Sequence, residues 1–284
     1  MSTTAPANGT VTLGQIPGQL TVTRPPRSRT VLPLRSVRVG PFAVADSSAA
    51  DLVERLGTPL DRRVVAFALH VGGLNSRRDH RFVRAMRRAD VVYTDGKSVE
   101  LLARAAGARS VQRAATTDIG LPVIRRLGEN LGRPARVAVV GARPGVAERA
   151  AATIVAETGA VVVHTDHGYH AEWAGPLAEI RRSDPDVVVI GLGMPLEAVM
   201  VDARRQELPE ALILTCGGWL GFLAGLERRA PELAQRSGLE WAFRMRQQPR
   251  LARRYAHGLF SVAGLYVTTS VRRTARRTTG VAGR

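Results

Sequence analysis

The sequence predicts an α/β fold: a mostly parallel sheet with helices on both faces, followed by a basic C-terminal appendage. Three observations carry this. Short runs rich in Val, Ile and Ala recur along the chain. Amphipathic segments of helical length separate them. The charge, finally, is unevenly placed. The 284 residues carry a formal net charge of +17, yet residues 1–45 hold five arginines and no acid, and residues 241–284 hold ten arginines and no acid. The stretch 46–240 is left at only +2, an ordinary near-neutral body.

Taken in order, Arg63–His70 (RVVAFALH) is a buried-strand pattern and Arg77–Arg88 a helix, basic on one side. Ala89–Thr94 (ADVVYT) is a second strand, followed by a helix over Ser98–Ala106. Asp118–Leu131 is the next helix, with Asp118 as its expected N-cap. Arg136–Val140, Ala160–Thr165, Asp186–Ile190 and Ala211–Thr215 are four further strands. They alternate with helices at Gly145–Thr158, Pro176–Ser183 and Leu196–Glu207. Continuous β-branched runs, rather than alternating ones, mark strands covered on both faces, so the architecture is Rossmann-like.

Three segments are expected: a disordered leader over 1–34, rich in Ser, Thr, Pro and Gly; an α/β domain over 35–240; and a basic appendage and tail over 241–284. No apolar stretch is long enough to span a bilayer. Leu259–Val271 comes nearest; it either lies on a membrane surface or packs on the body. The single cysteine, Cys216, excludes a disulfide scaffold and reads as a small buried hydrophobe. Basic ends suit a solvated tail, nucleic acid or an anionic membrane. Aromatics at 5% and the lack of zinc-ligand spacing or a helix-turn-helix pattern argue against nucleic acid.

In such sheets ligands bind beyond the carboxyl ends of the strands, and there the loops are unusual. Gly72-Gly73-Leu74-Asn75 ends in a side chain that both donates and accepts. Thr94-Asp95-Gly96 puts a carboxylate at a strand end, where a general base or a turn-forming Asp belongs. Gly141-Ala142-Arg143-Pro144-Gly145, Gly191-Leu192-Gly193-Met194-Pro195 and Gly217-Gly218 are Gly-rich turns that suit a nucleotide, although none is a G-x-G-x-x-G or Walker pattern. Asp166-His167-Gly168-Tyr169 offers His167 and Tyr169 to a base or sugar. The six histidines show no zinc-protease spacing, so no metal site is expected. Arginines at 246, 250, 253 and 254 fall at near-helical spacing and suit a diphosphate or anionic head group, or simply a solvated face.

Together these loops resemble the bacterial WecG/TagA/CpsF glycosyltransferases, the N-acetylmannosaminyltransferase-like family. The resemblance runs from about Ser36 to Tyr255. It rests on the ordered set Asp95-Gly96, Gly168-Tyr169, Pro185-Asp186 with Gly191-x-Gly193-x-Pro195, Ala224-Gly225 with Arg229-Ala230-Pro231, and Gly238-Leu239-Glu240-Trp241 with Arg244, Pro249-Arg250 and Arg254-Tyr255. It implies an inverting, metal-independent transfer that needs no cofactor. The donor would be a UDP-linked sugar, typically N-acetylmannosamine, and the acceptor a sugar on a polyprenyl diphosphate at the cytoplasmic face of the plasma membrane. Self-association is also implied. By the same resemblance Asp95 is the base. Asn75, Gly141, Tyr169, Gly191, Gly193, Glu197, Gly218, Arg229, Arg244, Arg250 and Arg254 are the expected substrate-binding residues. The family's pocket Gln is Glu197 here, and the Asp expected after Gly-Gly-x-Phe is Gly221. These departures leave a second reading open, a non-catalytic UDP-sugar-binding or scaffold protein.

Overall fold

The computed structural model describes residues 34–59, 61–227, 230–231, 240–247 and 256–269. The expected leader, apart from residue 34, lies outside the described residues. A hairpin comes first, β1 (Ser36–Val39) and β2 (Phe42–Ala45), and then α1 (Ala49–Leu56). The sequence reading did not anticipate either. Yet Ser48 caps α1 by accepting the N–H of Asp51, and Arg55 in the last turn pairs with Asp51 at 2.9 Å.

All six anticipated strands form: β3 (Val64–Leu69), β4 (Val91–Thr94), β5 (Arg136–Gly141), β6 (Val161–Asp166), β7 (Val187–Gly191) and β8 (Leu212–Thr215). They make one parallel sheet in the order β4-β3-β8-β7-β5-β6. β3, β4, β7 and β8 are buried along their whole length, as continuous aliphatic runs require when both faces are covered.

The helices are α2 (Val71–Asn75), α3 (His80–Arg88), α4 (Lys97–Ala105), α5 (Thr116–Leu131), α6 (Val146–Thr158), α7 (Ala174–Arg182), α8 (Leu196–Ala203) and α9 (Trp219–Leu223). Then come α10 (Glu240–Gln247) and α11, over 256–269. Side chains alternate across the sheet, so β3 gives Val64, Ala66 and Ala68 to one core and Val65, Phe67 and Leu69 to the other. The first core packs against α1, α5, α6 and α9. The second packs against the hairpin, α3, α4, α7 and α8.

Several boundaries differ from expectation: α7 starts at Ala174 rather than Pro176, and α8 ends at Ala203 rather than Glu207, a 3-10 turn over Arg205–Glu207 following it. The basic helix starts at residue 80 because Asp79 caps it, accepting from the N–H groups of Arg81 and Phe82; Arg77 and Arg78 lie in the turn between α2 and α3. α5 starts at Thr116 with Ala115 at the cap position, so Asp118 is not the cap. The Tyr93–Thr116 hydroxyl contact, 2.7 Å, draws the first turn into the core, and Asp118 instead takes a 2.6 Å bond from Arg113.

Candidate functional site

Six loops leave the carboxyl ends of the strands along one edge, and direct contacts join them. The N–H of Asp95, just past β4, donates to Leu69 O at the end of β3 (2.9 Å). Gly73, after β3, packs so closely on Met194, after β7, that a Cβ there would lie 3.0 Å from Sδ. The N–H of Gly168, after β6, donates to Ala142 O, after β5 (2.9 Å). The helices that follow β5 and β8 pack on one face and those that follow β3, β4 and β7 on the other. Crevices therefore open between neighbouring strands, where ligands sit in doubly wound sheets.

Asp95 is half-buried at this edge, and Gly96 (φ +101°) turns the chain directly into α4. A polar layer lies beneath it. The buried Tyr93 hydroxyl meets Thr116 Oγ1 at 2.7 Å and reaches Thr215 O at 3.4 Å. Burial pushes that phenol well above its usual range. Tyr93 and Thr116 were not singled out from sequence; their partner strands are distant in the chain, and only the tyrosine's place inside an apolar strand hinted that its hydroxyl needs a partner.

Glu197 sits in the first turn of α8 and is 1% exposed. Its Oε2 accepts from the N–H groups of Gly193 (3.0 Å), Gly217 (3.1 Å) and Leu192 (3.3 Å). One oxygen thus pins the β7–α8 loop to the β8–α9 loop. Burial raises its pKa to about 7; the three amides oppose this and the charge of Asp95 adds to it.

The glycines divide by role. Gly141 (φ +140°) abuts Gly191, and a Cβ there would lie 2.3 Å from Gly191 O, so strand spacing alone demands this residue. A Cβ on Gly191 would meet Leu220 at 2.8 Å. At Gly193 a Cβ would meet nothing within 4 Å, which leaves that position open to the crevice. Gly218 is the N-cap of α9. Asn75 closes α2, whose first turn is capped by His70 Nδ1 accepting from Gly72 N–H at 2.9 Å. Gly221 lies beside Glu227, whose Oε1 would be 3.2 Å from a Cβ at 221. A carboxylate from six residues downstream therefore occupies the neighbourhood where the resemblance expects an Asp.

At the far end of the sheet, Tyr169 is 68% exposed. His167 and His170 stack with ring centroids 4.3 Å apart, and His170 Nε2 lies 3.0 Å from Asp166 Oδ2. Ligand atoms of Asp166, His167 and His170 lie within 4.8 Å of one another, the one such group among the described residues. The histidine spacing did not suggest this cluster, because a bend rather than a helix brings the rings together. As folded, its groups serve one another: His167 Nδ1 accepts the Tyr169 N–H (3.1 Å), and Asp166 Oδ1 accepts the His167 N–H (2.7 Å). Cys216 is buried, as expected, and burial raises its thiol well above the usual range.

The edge therefore gathers Asp95, Asn75, Gly193, Glu197 and Gly218, with Gly141, Gly191 and Tyr169 toward its β6 end. Arg244 lies on α10. Arg229, Arg250 and Arg254 lie outside the described residues. The last described segment, α11, reaches the same edge. A Cβ on Gly258 would be 2.1 Å from Val71 Cγ2 and 3.8 Å from Asn75 Oδ1.

A half-buried carboxylate at a strand end, on the edge where the glycine-rich turns lie, is an arrangement suited to removing a proton from a bound hydroxyl. Comparison with protein families agrees with this class of chemistry. The family model for the glycosyl transferase WecG/TagA/CpsF family matches residues 37–276, most of the chain. The chain belongs to the WecG/TagA/CpsF family of glycosyltransferases, enzymes of cell-envelope polysaccharide synthesis.

Proposed function

We propose that the protein is an inverting transferase that moves N-acetylmannosamine or a related sugar from a UDP-linked donor to a sugar carried on a polyprenyl diphosphate. Asp95 is the base in this reading. Its carboxylate takes the proton of the acceptor hydroxyl as that oxygen bonds to the anomeric carbon from the face opposite the nucleotide. The bond from the anomeric carbon to phosphate breaks, and its electron pair leaves with UDP. The observation that carries the reading is the position of Asp95, on a short rigid turn tied to β3 at the edge where the glycine-rich loops converge.

The other residues follow from chemistry. Gly193 and Gly218 bring main chain close to the donor, and Asn75 orients a hydroxyl. Glu197 acts on the donor side through the two loops it holds. The arginines 229, 244, 250 and 254 neutralise the diphosphates, since guanidinium forks pair with phosphate oxygens. The enzyme works at the inner face of the plasma membrane, where a polyprenyl-linked acceptor resides. The non-catalytic reading draws support from Glu197, whose Oε2 is committed to backbone amides.

A screen of UDP-sugars against a short-chain prenyl-diphosphate sugar, with products identified by mass spectrometry, tests the proposal. A glycosylated product together with UDP supports it. Nucleotide binding without product across the panel moves the assignment to a binding protein.

A further inference from the structure

The loop after β6 carries a side-chain cluster that proton removal by Asp95 does not use. Asp166 ends the strand, and His167 and His170 follow it in the bend. All three are half-buried. The two imidazole rings stack with centroids 4.3 Å apart, and Trp173 packs edge-on against His170 at 5.0 Å. The bonds from the His167 N–H to Asp166 Oδ1 and from the Tyr169 N–H to His167 Nδ1 shape the bend. They leave Asp166 Oδ2 and His170 Nε2 facing each other at 3.0 Å. That approach forms no hydrogen bond. His170 Nε2 is shielded from solvent and has no hydrogen-bond partner among the described residues. A ring nitrogen buried in this way is costly unless something binds it.

Neighbouring donors around a tetrahedral zinc, with bonds of roughly 2.0–2.2 Å, stand about 3.4 Å apart. The Asp166–His170 pair is close to that spacing, and ligand atoms of all three residues lie within 4.8 Å of one another. The geometry points to a site for a divalent cation of the zinc class, held by Asp166 and by one ring nitrogen each of His167 and His170. Two imidazoles and a carboxylate make a three-ligand set that leaves a position to solvent. Imidazole favours such ions over magnesium, which prefers oxygen. β6 and β4 are the opposite edges of the sheet, so five strand spacings, on the order of 20 Å, separate the site from Asp95. The cation therefore takes no part in removing the acceptor proton.

Occupancy also changes the loop. His167 Nδ1 accepts a hydrogen bond, so the neutral ring carries its proton on Nε2. A cation on Nδ1 displaces the Tyr169 N–H. A cation on Nε2 sends the ring proton, through solvent, to Nδ1, which then meets that N–H donor to donor. Either way the Tyr169 amide loses its acceptor. Tyr169 is 68% exposed, and its neighbour Gly168 is bonded to Ala142 after β5. The site thus joins cation binding to the position of Tyr169.

Zinc is titrated into the full chain, without a histidine tag, against a chromophoric chelator. Cobalt is titrated beside it for its visible ligand-field bands. Two variants accompany wild type. His170→Phe keeps an aromatic ring against His167 and Trp173, and Asp166→Asn keeps the acceptor for the His167 N–H. Thermal melts without metal verify folding. Wild type is expected to bind about one zinc per chain, undisturbed by excess magnesium. Each variant is expected to bind zinc at least about 10-fold more weakly, the least that even loss of an outer-sphere partner costs. In wild type, zinc is expected to shift the NMR signals of the Tyr169 amide and of the ring nitrogens of both histidines. No zinc uptake by wild type, displacement by magnesium, or a loss below about 10-fold in either variant overturns the site. Zinc uptake with the Tyr169 amide unmoved overturns its link to that residue. None of these readouts needs donor, acceptor or turnover, so they stand apart from the transferase reading.

Discussion

The Oε2 atom of Glu197 accepts the N–H of Gly217 at 3.1 Å, and this bond ties the turn after β8 to the helix that follows β7. Gly193 and Leu192 donate to the same atom. Glu197→Ala strands three partly buried donors at once. Each orphaned group costs about 1–3 kcal/mol before water fills the gap. A fall in urea midpoint, with weaker nucleotide binding by calorimetry, is the expected result. Glu197→Gln keeps an acceptor oxygen and is expected to retain most of both.

The same residue sets a pH dependence. Burial raises the Glu197 carboxyl from its ordinary 4.5 to about 7 in the folded state. A folded-state value above the unfolded one means that the folded protein holds the proton more tightly. The stabilisation is therefore fully present below about 4.5 and is lost as pH rises through about 7. Over that interval wild type loses roughly 3 kcal/mol relative to Glu197→Gln, whose side chain does not titrate in this range. Urea melts of both proteins at pH 5 and pH 8 check this; parallel behaviour would show that Glu197 stays ionised throughout.

Gly258 lies where only a hydrogen fits against Val71, since a Cβ would approach Cγ2 to 2.1 Å. Gly258→Val is expected to lift the start of α11 and speed amide exchange over 256–269. It is also expected to raise the acceptor KM several-fold through the neighbouring Asn75. Val71→Ala removes the clashing methyl and should restore much of the packing in the double variant. If the double variant exchanges as fast as Gly258→Val alone, the contact does not position the helix.

At the opposite end of the sheet, Arg133 grips Asp186 with both guanidinium nitrogens, at 2.6 and 2.8 Å, and the Asp186 side chain is 2% exposed. Asp186→Ala leaves Arg133 without this buried partner and orphans the Arg136 N–H, which donates to the same carboxylate at 2.9 Å. Breaking such a pair costs about 3–5 kcal/mol. The melting temperature should drop with little change in the KM of the remaining folded enzyme, because the pair lies at the N-terminal ends of the strands.

The sheet was legible because aliphatic runs such as Val64–Leu69 and Val187–Gly191 leave few alternatives to a strand buried on both faces. Its loops were legible as glycine-rich, but glycine alone does not say why it is there. Gly193 opens on the crevice, whereas Gly141 answers to its neighbour Gly191. Helix α1 carries its signal only in Ser48 and Asp51, and the hairpin is too short for its alternation to stand out. Glu197 illustrates what sequence hides. A glutamate in the first turn of a helix reads as a surface or pocket residue, and only the fold brings Gly217, 20 positions away, onto its oxygen. The Tyr93–Thr116–Thr215 layer is of the same kind, since its partners meet across strands distant in sequence.

In the proposed reaction Asp95 removes the acceptor proton. Asp95→Asn keeps the shape and the backbone bond to Leu69 but cannot accept that proton. Single-turnover rates with the donor found by screening, measured beside calorimetric affinity for UDP, test the claim most directly. The expected rate is at least about 100-fold lower, with UDP affinity and melting temperature unchanged. A variant that turns over at the wild-type rate would contradict it.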